Sequence, residues 1–152
     1  MQDRSYNALS HPQKVPVFTK FYEPGDIFKA AHFLSNASHL AYYDRSKTSQ
    51  ILKKHALKLV HYFRQKSTHA YLAQSKDYAV LAFRGTQHLD FENIKTDGTF
   101  KLIPAQKGQV HQGFQEALDL IWPELNSYLK EIKTPLYITG HSLGGALATL
   151  AG

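Results

Sequence analysis

The chain of 152 residues contains no cysteine and only one methionine and one tryptophan. Disulfides and thiol chemistry are therefore excluded, although this absence says little about compartment. There is no run of about 18 apolar residues, so no transmembrane helix is expected. The opening stretch, MQDRSYNALSHPQKVPVF, has one early arginine but no apolar segment and no small-residue cleavage site. No secretory signal peptide is read there, and the expectation is a cytoplasmic protein or one exported without a signal. Internal repeats and low-complexity tracts are missing too. So is any basic run interleaved with aromatics, which argues against a nucleic-acid partner despite a net charge of +6. An anionic membrane surface stays compatible with that charge. What remains is 43% hydrophobic and 12% aromatic, enough for one globular domain with a sizeable core.

Residues 1–24 are polar and proline-bearing and are expected to form an irregular arm. Pro24-Gly25-Asp26 ends the arm, with Asp26 a candidate helix cap. Ile27, Ala31, Leu34, Ala37 and Ala41 recur at helical spacing, which predicts a helix over 27–43. A second helix is expected over 49–64, with Ile51, Leu52, Ala56, Leu59, Val60 and Phe63 as its apolar stripe. Lys53, Lys54, Lys58 and Arg64 then form its wet face, which accounts for the densest basic stretch of the chain. The period next changes to that of strands. Residues 69–74 and 78–85 flank Ser75-Lys76-Asp77 and predict a β-hairpin whose second strand is buried on both faces. Residues 86–112 read as mostly irregular. A third helical pattern runs from Phe114 to Ile132, with a kink or restart at Pro123. Residues 135–139 predict a short strand, and 143–151 an uncharged helix, apolar all round and hence buried.

Between that strand and that helix stands Gly140-His141-Ser142-Leu143-Gly144, a G-x-S-x-G. With glycine and serine each near 7% of residues, the bare pattern arises by chance in roughly one in twenty chains this long. Its context adds to it. A serine on a sharp strand-to-helix turn presents its hydroxyl at a sheet end, and flanking glycines avoid clashes with the neighbouring strand or helix. The helix N-terminus just beyond offers free N–H groups to an oxyanion. A glycine-rich strand-to-helix turn without chemistry is the alternative.

GHSLGGALATLAG resembles the nucleophile elbow of the class 3 lipases, the fungal-lipase-like branch of the α/β hydrolases. FRGT (83–86) is similar to the family's oxyanion-hole segment, and VHQGF (110–114) to its V-H-x-G-F box. ENIKTDGTF between them resembles an N-W-x-x-D stretch with Ile94 in place of tryptophan, and LAYYD (40–44) the end of the first long helix. The resemblance covers about residues 27–152. It implies an α/β fold, the N-terminal part of an α/β hydrolase, with an incomplete sheet and flanking helices that ends just after the elbow. Residues 25–152 would form that partial domain. It also implies Ser142 as nucleophile, with backbone N–H groups of Leu143 and Thr86 forming the oxyanion hole. His141, His111, Arg84 and Asp97 are read as packing or structural residues. The segment 87–109 is either a lid or a plain surface connection.

In this superfamily the acid and the histidine of the triad follow the serine in the chain. After Ser142 the sequence has only LGGALATLAG, and its nine histidines all lie at or before position 141. The expectation is therefore the N-terminal part of a longer lipase-like protein, inactive or nearly so by itself. The strand at 135–139 should be central, with an unpartnered far edge, and one side of the last helix should be uncovered. The expected activity of the parent is hydrolysis of lipid esters through an acyl-enzyme on Ser142, with no metal or organic cofactor. The expected partner is a lipid ester substrate at a membrane or lipid–water interface. A catalytically inactive remnant that binds lipid or protein is the alternative. A peptide or polyester substrate is a third reading.

Overall fold

The computed structural model describes residues 27–85, 101–105 and 108–152. The expectations on the 1–24 arm, on Asp26, on Thr86 and on most of the 87–109 segment, Ile94 and Asp97 included, lie outside the described residues.

Helix α1 spans Ile27–Leu40 and buries Phe33, Ala37, Ser38 and Leu40. The expected stripe is corrected at its start, because Ile27 is 73% exposed and Ala31 is exposed as well. The helix also stops short of Tyr43. Two turn bonds, Tyr42 N–H to His39 O (3.1 Å) and Tyr43 N–H to Leu40 O (3.1 Å), end it.

The expected helix over 49–64 is half wrong. Helix α2 spans Arg45–Lys54, begun by Asp44, whose side chain accepts from Lys47 N–H at 2.8 Å. It ends at Ala56, which takes φ +57°. Ala56 N–H bonds Lys53 O (3.3 Å) and Leu57 N–H bonds Leu52 O (3.0 Å), the paired closure of a left-handed helix end. Strand β1, Lys58–Gln65, follows at once. The basic residues assigned to one helix face are thus divided between a helix end and an edge strand.

Strands β2 (Thr68–Gln74) and β3 (Ala79–Phe83) form the expected hairpin, and every residue of β3 is buried. Within the stretch 86–112, expected to be irregular, β4 (Leu102–Pro104) and β5 (Gln109–His111) pair antiparallel. Three-residue strands are too short to show a period in sequence. Helices α3 (Gln112–Asp119) and α4 (Trp122–Glu131) replace the third helical pattern. The break is the restart expected at Pro123, which sits in the first turn of α4, where its missing N–H costs nothing. Strand β6 (Leu136–Gly140) and helix α5 (Leu143–Ala151) close the order.

The main sheet runs β1-β2-β3-β6. β6 lies parallel to β3 and, among the described residues, forms the sheet edge. Alternation along the strands feeds two cores. Tyr71, Ala73, Val80 and Ala82 face α1 and α2, packing on Phe33, Leu40 and Leu52. Ala70, Leu72, Leu81 and Phe83 face the other side with Leu118, Ile121, Leu125 and Leu147. Helices on both faces of a sheet with a parallel pair make an α/β fold, as expected. The expectation of a fully buried α5 is corrected, since only Gly144 and Leu147 are buried in it.

Three hydroxyls, from β6, β2 and β1, fasten α1 and the turn after it to the sheet. Thr139 Oγ1 donates to Leu34 O (3.1 Å), Tyr71 Oη to Ala37 O (2.9 Å) and Tyr62 Oη to Tyr43 O (2.9 Å).

Candidate active site

β6 ends at Gly140 and α5 begins at Leu143, so only His141 and Ser142 make the turn between them. Ser142 takes φ +56° and ψ −125°, a left-handed conformation for a non-glycine residue. Such a position costs on the order of 1–3 kcal/mol and persists only where its surroundings enforce it. Here they do. A Cβ on Gly140 would collide with the Gly144 carbonyl, and one on Gly144 would collide with the Phe83 carbonyl oxygen. The first turn of α5 is therefore pressed against the ends of both β6 and β3. Gly144 N–H to His141 O (3.0 Å) and Gly145 N–H to Ser142 O (2.8 Å) hold the turn.

Ser142 occupies the N-cap position but its side chain makes no capping bond, and the residue is exposed. Its hydroxyl is left available at the end of the sheet. Leu143 N–H opens the helix, where no preceding turn can accept it. None of the described residues accepts from it.

The FRGT segment comes to the same place. Gly85 is buried, and a Cβ there would collide with His141 O and Tyr42 Oη and lie 3.3 Å from Ser142 Cβ. The residue before Thr86 thus packs on the elbow. Thr86 itself lies outside the described residues. Arg84 is anchored by its N–H to His69 O at 2.9 Å, and its guanidinium acts electrostatically on Tyr42, Tyr62 and His69.

Tyr42 is the residue that sequence reasoning passed over. Its Oη lies 2.9 Å from His141 Nδ1, with the rings tilted at 6.1 Å between centroids. Burial pushes its pKa up, opposed by the Gly85 amide and by Arg84. The signal available was its place in LAYYD, at the end of the first helix. His111 caps α3, its Nδ1 accepting from Gly113 N–H at 3.2 Å, and its ring lies 4.7 Å from that of Phe114.

Behind the site, His69 is buried beside Arg84. Burial first, then Arg84 and Arg64, push its pKa down to about 4. Its Nδ1 has no hydrogen-bond partner among the described residues. Among those residues, no group of three or more His, Asp or Glu side chains is arranged to hold a metal ion, and no helix is long and apolar enough to cross a membrane. No described histidine hydrogen-bonds Ser142 Oγ.

The family pattern described as lipase (class 3) matches residues 80–152. Comparison with curated protein sequences finds no match. Among solved structures, a lipase from Rhizopus microsporus var. chinensis superposes with a TM-score of 0.61 at 21% identity, over 94% of this chain and 56% of that one. The triacylglyceride lipase of Rhizomucor miehei gives 0.63 at 22% identity, over 85% and 54%. A lipase of Yarrowia lipolytica gives 0.58 at 23% identity, over 82% and 52%. At these identities the likeness is one of fold. The chain spans about half the length of the solved structures it matches.

Proposed function

We propose that the chain, whose residues 80–152 match the lipase (class 3) pattern, carries the nucleophile of a serine hydrolase of lipid esters. The observation that carries this reading is Ser142 held at φ +56° between Gly140, Gly144 and Gly85. A fold that tolerates a strained serine with an uncommitted hydroxyl has a use for that hydroxyl.

In the proposed reaction Ser142 Oγ attacks the ester carbonyl. A histidine base, oriented by a carboxylate, takes the serine proton and returns it to the departing alcohol. Water then cleaves the acyl-enzyme and regenerates the serine. Leu143 N–H, at the start of α5, and Thr86 N–H bind the carbonyl oxygen as it becomes negative. The histidine and the carboxylate are not supplied by the described residues around Ser142. We therefore assign low turnover to the 152-residue chain by itself. The lipid ester would be met at a membrane or lipid–water interface.

That same lack of a base favours a second reading, a lipase-like remnant that binds lipid or protein without turnover. Hydrolysis of a short-chain nitrophenyl ester tests the assigned inactivity and the role of Ser142. The purified chain is expected to run close to the uncatalysed rate. Robust turnover lost in Ser142→Ala would keep the nucleophile and refute the assigned inactivity. Robust turnover unchanged in Ser142→Ala would overturn the functional reading itself.

A further inference from the structure

We propose that Tyr42 is a positioning residue, whose hydroxyl ties the Ser142 turn to the strand end that leads into Thr86. The proposal rests on the reading of Ser142 as nucleophile. Its own support is geometric. Tyr42 Oη lies 2.9 Å from Nδ1 of His141, the residue before the serine. Gly85 lies against the same oxygen. Gly85 has no space for a Cβ, because Tyr42 Oη and His141 O already fill it. One oxygen therefore touches both chain segments that border the candidate oxyanion site.

The sheet does not make this connection. β3 and β6 are paired only as far as Phe83 and Gly140. Beyond that rung the ladder stops, and Tyr42 Oη lies against both His141 and Gly85 there. Its own placement is fixed in advance. The bonds from Thr139 to Leu34, Tyr71 to Ala37 and Tyr62 to Tyr43 hold α1 and the turn that carries Tyr42 on the sheet.

In the proposed link the single phenol proton goes to His141 Nδ1, with His141 protonated on Nε2. Burial keeps the phenol protonated at neutral pH, so the link persists there. A left-handed serine needs its neighbours to fix it, and this link constrains the residue immediately before it.

Tyr42→Phe removes the hydroxyl and retains the ring beside His141. Two readouts in the 152-residue chain test it. The first is the rate at which a fluorophosphonate labels Ser142, where serine oxygen replaces fluoride on phosphorus and the proton leaves to solvent. The second is the ring 15N shifts of His141. Tyr42→Phe should label about 10-fold or more slowly at a nearly unchanged melting midpoint, and should move the Nδ1 shift toward that of an unbonded acceptor. Equal labelling rates would overturn the proposal. If the parent is labelled equally after Ser142→Ala, the nucleophile reading fails instead, and if it is not labelled the lack of a base accounts for it. The ring shifts then decide for Tyr42, and an unmoved Nδ1 refutes the link. Should Tyr42→Phe not fold, His141→Leu breaks the same link from its other end. It must slow labelling comparably for the proposal to stand.

Discussion

Gly144→Ala tests the geometry that makes Ser142 an elbow. The added Cβ would collide with the Phe83 carbonyl oxygen and stand 2.9 Å from the Phe83 and Arg84 carbonyl carbons. Carbon atoms in contact prefer about 3.5–4.0 Å, so α5 or the end of β3 must move by about 0.6–1 Å. Both obstacles are backbone, and neither can rotate away. The helix also has little room to shift, because Gly140 already abuts the Gly144 carbonyl from the β6 side. Overpacking of this kind costs about 1–3 kcal/mol or more, while alanine in place of glycine returns about 1 kcal/mol of helix propensity. With both obstacles backbone, the upper end of that cost applies, and the expected net loss is about 2 kcal/mol. Gly145→Ala is the control. Its Cβ would meet only Gly140 O at 3.3 Å and Gly140 C at 3.9 Å, so the propensity gain offsets a mild contact. Urea unfolding followed by circular dichroism reads both. With a slope of about 2 kcal/mol/M, Gly144→Ala should lower the midpoint by about 1 M and Gly145→Ala should leave it nearly unchanged. Equal midpoints for the two variants would refute the close approach of α5 to β3.

Two further outcomes follow from local chemistry. Ala56→Gly, at the φ +57° end of α2, should stabilise the protein by about 0.5–1 kcal/mol, since alanine is disfavoured there; a lower urea midpoint would contradict the helix end described. His69, with its folded pKa pushed down to about 4 by burial, Arg84 and Arg64, binds its proton more weakly when folded than when unfolded. Its contribution is intact above an unfolded pKa of about 6.5 and is lost as pH falls from there toward 4, on the order of 3 kcal/mol. His69→Gln should flatten that acid limb in a pH series of unfolding curves, and an equally steep limb in the variant would refute the assignment.

The sequence displays the buried hairpin and the last strand and helix, because each keeps one period over its whole length. It hides the change from α2 to β1 for two physical reasons. The helix stops on Ala56, so no glycine marks the left-handed residue that closes it. The strand then carries a register shift between Leu59 and His61. Pairing sets Leu59 against Ala73 but His61 against Leu72, leaving Val60 as the extra residue. The bulge interrupts the strand's alternation, and Leu59, Val60 and Phe63 come to imitate the spacing of a helix. A helix end without glycine followed by a bulged strand cannot be distinguished from one amphipathic helix by periodicity alone.

The elbow is legible for the opposite reason, since its constraints are local. A Cβ on Gly140 would strike the Gly144 carbonyl across three residues of chain, and the strand before and the helix after are contiguous with them. Tyr42 is not legible in that way. Its partner His141 is separated from it by 99 residues, and the two meet only because α1 is fastened across β3 and β6. A tyrosine at the end of a helix has many uses, and nothing near it in the chain indicates this one. The same distinction divides the candidate oxyanion hole. Leu143 N–H is placed by the turn it belongs to, whereas Gly85, which leads into Thr86, is held against the elbow by contacts distant in the chain. If Tyr42 supplies that hold, the residues that make Ser142 reactive include one from the turn after α1, 99 residues before His141.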